Sequence, residues 1–161
     1  MQRRSTPKLG IVANVLLTLT TSLSAHAQDS QRIHVVYMGG SDCPPCVAWR
    51  AQEYPKLAST EVFKRIRYTH VEKVIRSGVP PRFFLPQDVK PLKEKLDYAA
   101  NGMSGSPHTV IVVDGEIFDY IFGMYSAPEF EARLLAIESG QPYQFPRCTR
   151  RKDQRSCELA R

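Results

Sequence analysis

The chain has 161 residues and a formal net charge of +6, and this charge is concentrated at its two ends. Three basic side chains lie within residues 1–27, and residues 146–161 have a net charge of +4, so residues 28–145 carry a net charge of −1. The 134 residues after the first 27 suffice for one domain with a buried core but not for two. A short basic end without interleaved aromatic residues does not favour a nucleic-acid partner, and we expect residues 146–161 to form a solvated tail.

Residues 1–27 have the pattern of an export signal. A basic start without acidic residues precedes a mostly apolar run over residues 9–23, and Ala25-His26-Ala27 provides a small-x-small cleavage site. The run has 15 residues, fewer than the roughly 20 that cross a bilayer as a helix, which favours a cleaved signal over a membrane anchor. We expect cleavage after Ala27 and a mature chain in the periplasm, an oxidising compartment where disulfides persist.

A strand followed by two closely spaced cysteines begins the predicted domain. Residues 33–38 are apolar and β-branched and precede two glycines, which indicates a buried strand that enters a loop. Cys43 and Cys46 follow, separated only by two prolines. From Cys46 to Leu57 the apolar residues have helical spacing, with Pro55 as a kink or end, so the pair is predicted at the N-terminus of a helix.

The middle of the chain predicts a strand, an irregular stretch and a helix. Apolar positions alternate over residues 62–71, which predicts a strand, and Glu72-Lys73 after it is expected to be an exposed charge pair. Residues 78–91 contain four prolines with aromatic residues between them, which indicates an ordered loop or two short segments. Residues 91–100, followed by Asn101-Gly102, predict a helix and its stop.

A hairpin and a last helix complete the predicted domain. Residues 109–113 and 116–122 are strand-like and flank Asp114-Gly115, a strong hairpin signal. A helix is predicted from Ser126 to about Glu138. Its inward residues are expected to be Phe130, Leu134, Leu135 and Ile137. The order of elements predicts an α/β fold, a mixed sheet with one crossover unit and one antiparallel hairpin, faced by helices.

The cysteine pair at the predicted helix start has the arrangement of a redox centre. A helix N-terminus and a Cys-x-x-Cys spacing both lower a thiol pKa, and the thiolate is the form that attacks disulfides. Cys43 lies before the helix, where we expect its sulfur to face solvent, while Cys46 lies one turn in and more enclosed. Cys43 is therefore predicted to attack and Cys46 to resolve. Trp49, one turn further on, is expected to fill the core.

The strand, CPPC and helix, followed by SGSPHTVIVVDGEIFDYIFG, resemble the thioredoxin superfamily over Ile33 to Ser139. The resemblance implies a thioredoxin-like fold and thiol–disulfide exchange. It also implies that Pro107 follows a cis peptide bond near the active-site sulfurs. The backbone of Ser106 would then pair with the substrate peptide.

The sequence departs from thioredoxin itself at three places. Asp42 stands where the family usually has Trp, and a negative charge beside Cys43 opposes thiolate formation. The acidic residue often buried beneath the second cysteine falls at Tyr37, which removes an obvious proton acceptor for Cys46. Pro107 lies 61 positions after Cys46, which predicts an insertion, residues 74–100, between the active-site helix and the cis-proline loop.

The other two cysteines, Cys148 and Cys157, are predicted to form a local disulfide that fixes the tail. By the loop-entropy model, such a bridge contributes roughly 2 to 3 kcal/mol. Two alternatives stay open at this point: a second redox pair that relays electrons to Cys43 and Cys46, and a cross-pairing among the four cysteines.

Metal binding is the main alternative to redox chemistry. The spacing of Cys148 and Cys157 does not resemble a zinc ligand pair. Cu(I) suits two thiolates and an imidazole, and three histidines are available for it: His34, His70 and His108. His108 follows Pro107, however, and is expected to point away from the face that Ser106 presents.

The sequence as a whole predicts a periplasmic thiol–disulfide oxidoreductase without a cofactor or a metal. The expected partners are exported proteins that contain cysteine and a membrane or periplasmic redox partner. Two alternatives remain: a thioredoxin-fold module that binds copper or a partner through its cysteines, and an interaction scaffold that uses residues 79–91 while its cysteines stay oxidised. The direction of exchange is not encoded in any pattern of the sequence.

Overall fold

A computed structural model of the protein describes residues 32–151 and Cys157. The predicted export signal lies outside these residues. The strands in the described part are β1 (Ile33–Met38), β2 (Arg67–Val71), β3 (His108–Val113) and β4 (Glu116–Phe122). The α-helices are α1 (Pro44–Gln52), α2 (Tyr54–Ala58), α3 (Glu61–Arg65), α4 (Lys93–Ala100) and α5 (Ala127–Ser139), and short 3₁₀ turns cover Arg82–Phe84 and Lys90–Leu92. None of the helices within residues 32–151 is long and apolar enough to cross a membrane.

The four strands form one mixed sheet in the order β2-β1-β3-β4. β1 and β2 are parallel and are joined by a crossover that contains α1, α2 and α3, whereas β3 is antiparallel to both β1 and β4. This is the predicted α/β architecture, which is compatible with a thioredoxin-like fold. The sheet order places β1 in the interior of the sheet, so the loop after β1 emerges between two neighbours.

β1 is buried on both faces because helices cover both sides of the sheet. Ile33, Val35 and Tyr37 belong to one core, together with aromatic side chains from the crossover helices and α5. Val36 and Met38 belong to a second, more aliphatic core beneath α4 and the segment that precedes it. A strand buried on both faces is a continuous apolar run, which explains the composition of residues 33–38.

The hairpin between β3 and β4 has the predicted turn. Asp114 and Gly115 have φ values of 52° and 79°. Two successive residues at positive φ define the turn type that fits the twist of a two-residue hairpin, and Asp and Gly tolerate this region better than other residues. The turn fixes the register that pairs Val113 with Glu116.

Three local predictions are wrong. Residues 62–65 are helical, because the Thr60 side chain accepts a hydrogen bond from the Phe63 amide (3.4 Å) and caps α3, so the strand starts only at Arg67. α1 starts at Pro44, since proline suits the first turn of a helix. Leu135 is 44% exposed, because α5 turns other apolar residues towards the core.

The start of the basic C-terminal end packs on the sheet instead of being solvated. β4 is an edge strand, and its Tyr120 amide donates to the carbonyl of Cys148 (2.7 Å). The Cys148 amide donates in turn to the buried carboxylate of Asp119 (2.9 Å), and the Arg151 amide donates to the carbonyl of Ala99 at the end of α4 (2.8 Å). The expectation of a solvated end is therefore wrong for Cys148 and Arg151, which are buried, while Arg147, Thr149 and Arg150 are exposed.

Candidate redox site

Three loops meet at one end of the sheet. Met38, the last residue of β1, lies opposite His108, the first residue of antiparallel β3. The loop after β1, residues 39–43, therefore starts beside the loop before β3, residues 104–107. The loop after β2, residues 72–77, emerges at the same end because β2 runs parallel to β1. We call these segments the cysteine loop, the proline loop and the lysine loop, respectively.

Backbone hydrogen bonds hold the three loops together. The Gly39 amide of the cysteine loop donates to the carbonyl of Val71 at the end of β2 (3.1 Å). The Gly105 amide of the proline loop donates to the carbonyl of Ser77 in the lysine loop (3.3 Å). Because amides and carbonyls from separate loops satisfy each other, the position of each loop depends on the other two.

Cys43 caps the N-terminus of α1 and forms a disulfide with Cys46. Their Cα atoms are 5.2 Å apart, and the Cys46 amide donates to the Cys43 sulfur (3.2 Å). Cys43 itself has extended backbone angles, as an N-cap residue does, and prolines occupy the first turn of the helix. The sequence thus directs one sulfur to the Cys46 amide and the positive dipole of a helix N-terminus, where a thiolate is stabilised.

Both sulfurs of this pair are enclosed in the oxidised protein. The exposed fraction is 0% for Cys43 and 0% for Cys46. The expectation that the Cys43 sulfur faces solvent is therefore wrong. Its burial follows from the packing of the three loops, which the local sequence around the motif does not encode.

The proline loop contains Ser106 and Pro107, joined by a cis peptide bond as the resemblance implies. Pro107 accepts a hydrogen bond from the Gly123 amide after β4 (3.0 Å), which ties this loop to the end of the hairpin. The Ser106 hydroxyl is buried without a hydrogen-bond partner among the described residues. The structure thus places both residues at the same end of the sheet as Cys43, and their role in substrate binding stays a prediction.

Lys73 is a component of the site that the sequence does not reveal. It is only 6% exposed, and its ammonium group donates to the carbonyl of Gly105 in the proline loop. Burial lowers the pKa of Lys73 to about 8, and the nearby negative charge of Asp42 counteracts this shift. The prediction of an exposed charge pair is therefore wrong for Lys73. A local signal did exist, since Lys73 is two positions after buried Val71 and alternation along an extended chain puts both on one side.

Asp42 is held in place on the cysteine loop. Both of its carboxylate oxygens accept from the Ile75 amide of the lysine loop, at 3.1 Å each. The Ser41 amide donates to Glu72, which is the exposed member of the predicted charge pair (2.7 Å). An anion next to Cys43 opposes thiolate formation, whereas the ammonium of Lys73 nearby offsets that effect.

Tyr37 and Trp49 pack beneath the cysteine pair. Their rings stack with centroids 4.7 Å apart, and the indole of Trp49 donates to the carbonyl of Tyr125 (2.9 Å). Trp49 therefore occupies the core as predicted. Tyr37 is fully buried, and burial raises the pKa of its hydroxyl to about 12. A neutral phenol thus stands where the resemblance leads one to look for an acid.

His108 belongs to the second core and not to a ligand set. Its Nδ1 atom is 2.6 Å from the hydroxyl of Tyr120. Burial, followed by the positive charges of Lys73 and Arg151, lowers the pKa of His108 to about 3. Within residues 32–151 and Cys157, no group of three His, Cys, Asp or Glu side chains is placed to hold a metal ion.

The second cysteine pair lies elsewhere in the fold. Cys148 and Cys157 form a disulfide with their Cα atoms 5.1 Å apart, so the structure contains the two local pairings and neither cross-pairing. Cys148 lies against the edge strand β4, which β3 separates from β1. The structural role of this disulfide stays a prediction.

Comparison with known proteins gives no match that names a family. No family model matches the chain, and no curated protein matches it either. The thioredoxin-like assignment is therefore carried by two observations. One is the sheet order and strand directions, and the other is the disulfide-bonded Cys-x-x-Cys pair at the start of α1.

Proposed function

We propose that this protein is an exported thiol–disulfide oxidoreductase that exchanges disulfides with cysteine-containing proteins in the periplasm. The observation that carries the proposal is the Cys43–Cys46 disulfide at the N-terminus of α1. Such a pair is chemically able to alternate between disulfide and dithiol. A helix N-terminus favours the thiolate through which exchange proceeds.

In the oxidising direction, a substrate thiolate attacks the sulfur of Cys43. The Cys43–Cys46 bond breaks, Cys46 leaves as a thiolate, and a mixed disulfide joins Cys43 to the substrate. A second substrate thiolate then attacks the substrate sulfur of the mixed disulfide, and Cys43 leaves. Two electrons have passed from the substrate to the pair, and a membrane or periplasmic redox partner takes them away. In the reducing direction, the Cys43 thiolate attacks a substrate disulfide and Cys46 resolves the mixed disulfide.

The charges around Cys43 support its role as the sulfur that is attacked and that leaves. Pro44 and Pro45 have no amide hydrogen, so the Cys46 amide is the donor of the first turn that faces this sulfur (3.2 Å), at the positive end of the helix dipole. The partly desolvated ammonium of Lys73 is close enough to Asp42 to offset that carboxylate. Each of these groups lies on a loop that the other loops hold in place. The site is therefore preorganised for negative charge on Cys43.

Substrate binding needs a local rearrangement, because both sulfurs are enclosed. An extended substrate segment that pairs with the backbone of Ser106 would approach along the proline loop, beside the start of β3. We propose that the substrate displaces the groups that cover Cys43 as it binds.

Burial of the pair also favours a second candidate, an interaction module whose disulfide stays permanently oxidised. Phe83 and Phe84, in the 3₁₀ turn of the segment between β2 and α4, are 83% and 70% exposed. Two adjacent exposed aromatic side chains are typical of a contact surface for another protein. In this candidate, the enclosed disulfide serves only to stabilise the start of α1.

The reduction potential of the Cys43–Cys46 pair distinguishes the two candidates. The protein is equilibrated in glutathione buffers, and the redox state is read by mass spectrometry after thiol trapping. A reduction potential of about −120 mV identifies a disulfide donor, and a reduction potential of about −270 mV identifies a reductant. A pair that stays oxidised until the protein unfolds would contradict the proposed exchange and support the interaction module.

A further inference from the structure

The hydroxyl group of Tyr37 is an unusual feature of the protein core. Tyr37 lies near the end of β1 with 0% exposure, and its hydroxyl has no hydrogen-bond partner among the described residues while the disulfide is intact. A buried polar group without a partner is destabilising, and most such groups in folded proteins are paired. The oxidised state of the protein therefore carries an unsatisfied donor next to its cysteine pair.

Gly39 brings this hydroxyl and the sulfur of Cys46 to the same small space. A methyl group built on Gly39 would lie 3.0 Å from the Tyr37 hydroxyl oxygen and 3.1 Å from the Cys46 sulfur. Because glycine has no side chain, no atom of residue 39 fills the space that such a methyl would take next to both groups and to the Tyr37 ring. The stacked ring of Trp49 holds Tyr37 in this position.

Reduction changes what the hydroxyl can bond to. When a thiol donor, such as glutathione, reduces the pair, the Cys43–Cys46 bond breaks and two electrons pass to the two sulfurs. The glutathione is converted to its disulfide. The Cys46 side chain is then no longer held by the bond to Cys43 and bears a thiol or a thiolate. A thiolate sulfur accepts hydrogen bonds far better than a disulfide sulfur does, because it carries the negative charge. A hydrogen bond to a charged acceptor is also stronger than one to a neutral acceptor.

We propose that Tyr37 is a positioning residue that donates a hydrogen bond to the sulfur of Cys46 only in the reduced protein and thereby raises the reduction potential of the pair. This inference rests on the proposed exchange function. The hydroxyl has no partner in the oxidised state, which destabilises that state, and gains a partner in the reduced state, which stabilises that state. Both effects favour reduction of the pair. It has this effect as a neutral donor.

The charged groups around Tyr37 leave its hydroxyl free for this role. Arg50 and Glu72 act on it with opposite signs. The ring of His70 is tilted against it at 5.5 Å, but the Nε2 atom of His70 is 2.9 Å from the carbonyl of Gly39. The same atom is 3.1 Å from the guanidinium of Arg50, so the recorded partners of His70 are the Gly39 carbonyl and Arg50, and not the Tyr37 hydroxyl.

The test is the equilibrium constant of the Cys43–Cys46 pair with glutathione in Tyr37→Phe. Loss of the hydroxyl is expected to shift the equilibrium about tenfold towards the disulfide, which corresponds to a potential about 30 mV more negative. Tyr54→Phe is the matched control. It removes a hydroxyl from the opposite part of the same aromatic group, where Tyr54 packs 6.1 Å from Trp49, and should change the constant less than twofold, or about 9 mV.

A second variant tests the same hydrogen bond without removing the Tyr37 hydroxyl. Gly39→Ala places a methyl next to the hydroxyl and the sulfur. In the wild-type background, this substitution is expected to shift the equilibrium towards the disulfide, as Tyr37→Phe does. In the Tyr37→Phe background the same substitution should have a smaller effect, because the interaction is already lost. Equal shifts in both backgrounds would show that the hydroxyl is not responsible.

The outcomes separate this inference from the proposed function. If the wild-type pair exchanges with glutathione but Tyr37→Phe has the same equilibrium constant, Tyr37 has no such role and the exchange function stands. If no form of the protein exchanges, the proposed function fails, and the positioning role fails with it.

Discussion

The Cys43–Cys46 and Cys148–Cys157 disulfides have nearly the same Cα separation and are both buried, but their surroundings differ. Their Cα separations are 5.2 and 5.1 Å, and all four cysteines are buried. The first pair begins a helix, and a lysine, a carboxylate and an unpartnered tyrosine hydroxyl lie around it. The second pair fixes a chain segment to an edge strand through backbone hydrogen bonds.

For the proposed roles of the two pairs, redox for the first and structural for the second, this difference implies that burial alone does not distinguish them. What distinguishes them is whether the surroundings stabilise a thiolate after the bond breaks. A helix N-terminus does so for Cys43, whose sulfur accepts from the Cys46 amide. The contacts recorded for Cys148 are made by its backbone, to β4 and to the carboxylate of Asp119. Three measurements test the comparison.

The largest expected effect comes from the first pair. Cys43→Ala removes the sulfur that forms the mixed disulfide, so exchange should fall to the uncatalysed background. Cys46→Ala removes the resolving sulfur, so a mixed disulfide between Cys43 and the substrate should accumulate. The measurements are the rate of isomerisation of a mispaired disulfide protein and mass spectrometry of the trapped adduct. Unchanged turnover in Cys43→Ala would contradict the scheme.

Acid should weaken the part of the fold that carries the first pair, because His108 is buried there in its neutral form. The pKa of His108 is lowered to about 3, whereas the pKa of a histidine in an unfolded chain is about 6.5. Between these pH values the unfolded chain binds more protons. The free energy of unfolding therefore decreases as the pH falls, by up to about 1.4 kcal/mol per unit.

His108→Gln removes this dependence, since glutamine does not titrate. Urea unfolding from pH 8 to pH 4 should show that the wild type loses up to about 3 kcal/mol more than the variant by pH 4. At pH 8, both forms of residue 108 are neutral, and this pH serves as the internal control for other effects of the substitution. Parallel pH profiles for the two proteins would show that the pKa of His108 is the same in the folded and unfolded states and would contradict the lowered value.

The smallest of the three effects concerns the second pair. The double variant Cys148→Ala with Cys157→Ala should lower the free energy of unfolding by roughly 2 to 3 kcal/mol, because it removes the constraint on the unfolded chain. Chemical denaturation measures this change. The potential and exchange rate of the Cys43–Cys46 pair should stay at their wild-type values. A drop in exchange with unchanged stability would instead identify the second pair as an electron relay.

The sequence predicts the sheet and the position of the motif because these depend on local signals. The apolar run of residues 33–38 predicts a strand buried on both faces, and Asp114-Gly115 predicts the hairpin. The helical spacing of apolar residues from Cys46 predicts the helix after the motif, although the helix starts at Pro44, since proline suits a first turn. In each case, the residues that determine the structure are within a few positions of one another.

The environment of the site could not be predicted in the same way, because it depends on loops that are distant in sequence. The burial of Cys43 and Lys73 requires the cysteine, lysine and proline loops to meet. The residues of the proline loop are more than 25 positions from the others. Likewise, the basic composition of residues 146–161 predicts solvation, but backbone hydrogen bonds to Tyr120 and Ala99 accompany the burial of Cys148 and Arg151.

The hydrogen bond from Tyr120 to Cys148 also bears on how the protein avoids self-association. β4 lies at an edge of the sheet, and an uncovered edge strand offers its amides and carbonyls to a strand of another molecule. The segment around Cys148 occupies part of that edge, and the guanidinium of Arg147 lies 4.0 Å from the ring of Phe118 on the same strand. Arg147 thus places a positive charge beside this edge of the sheet, where it discourages edge-to-edge pairing with another molecule.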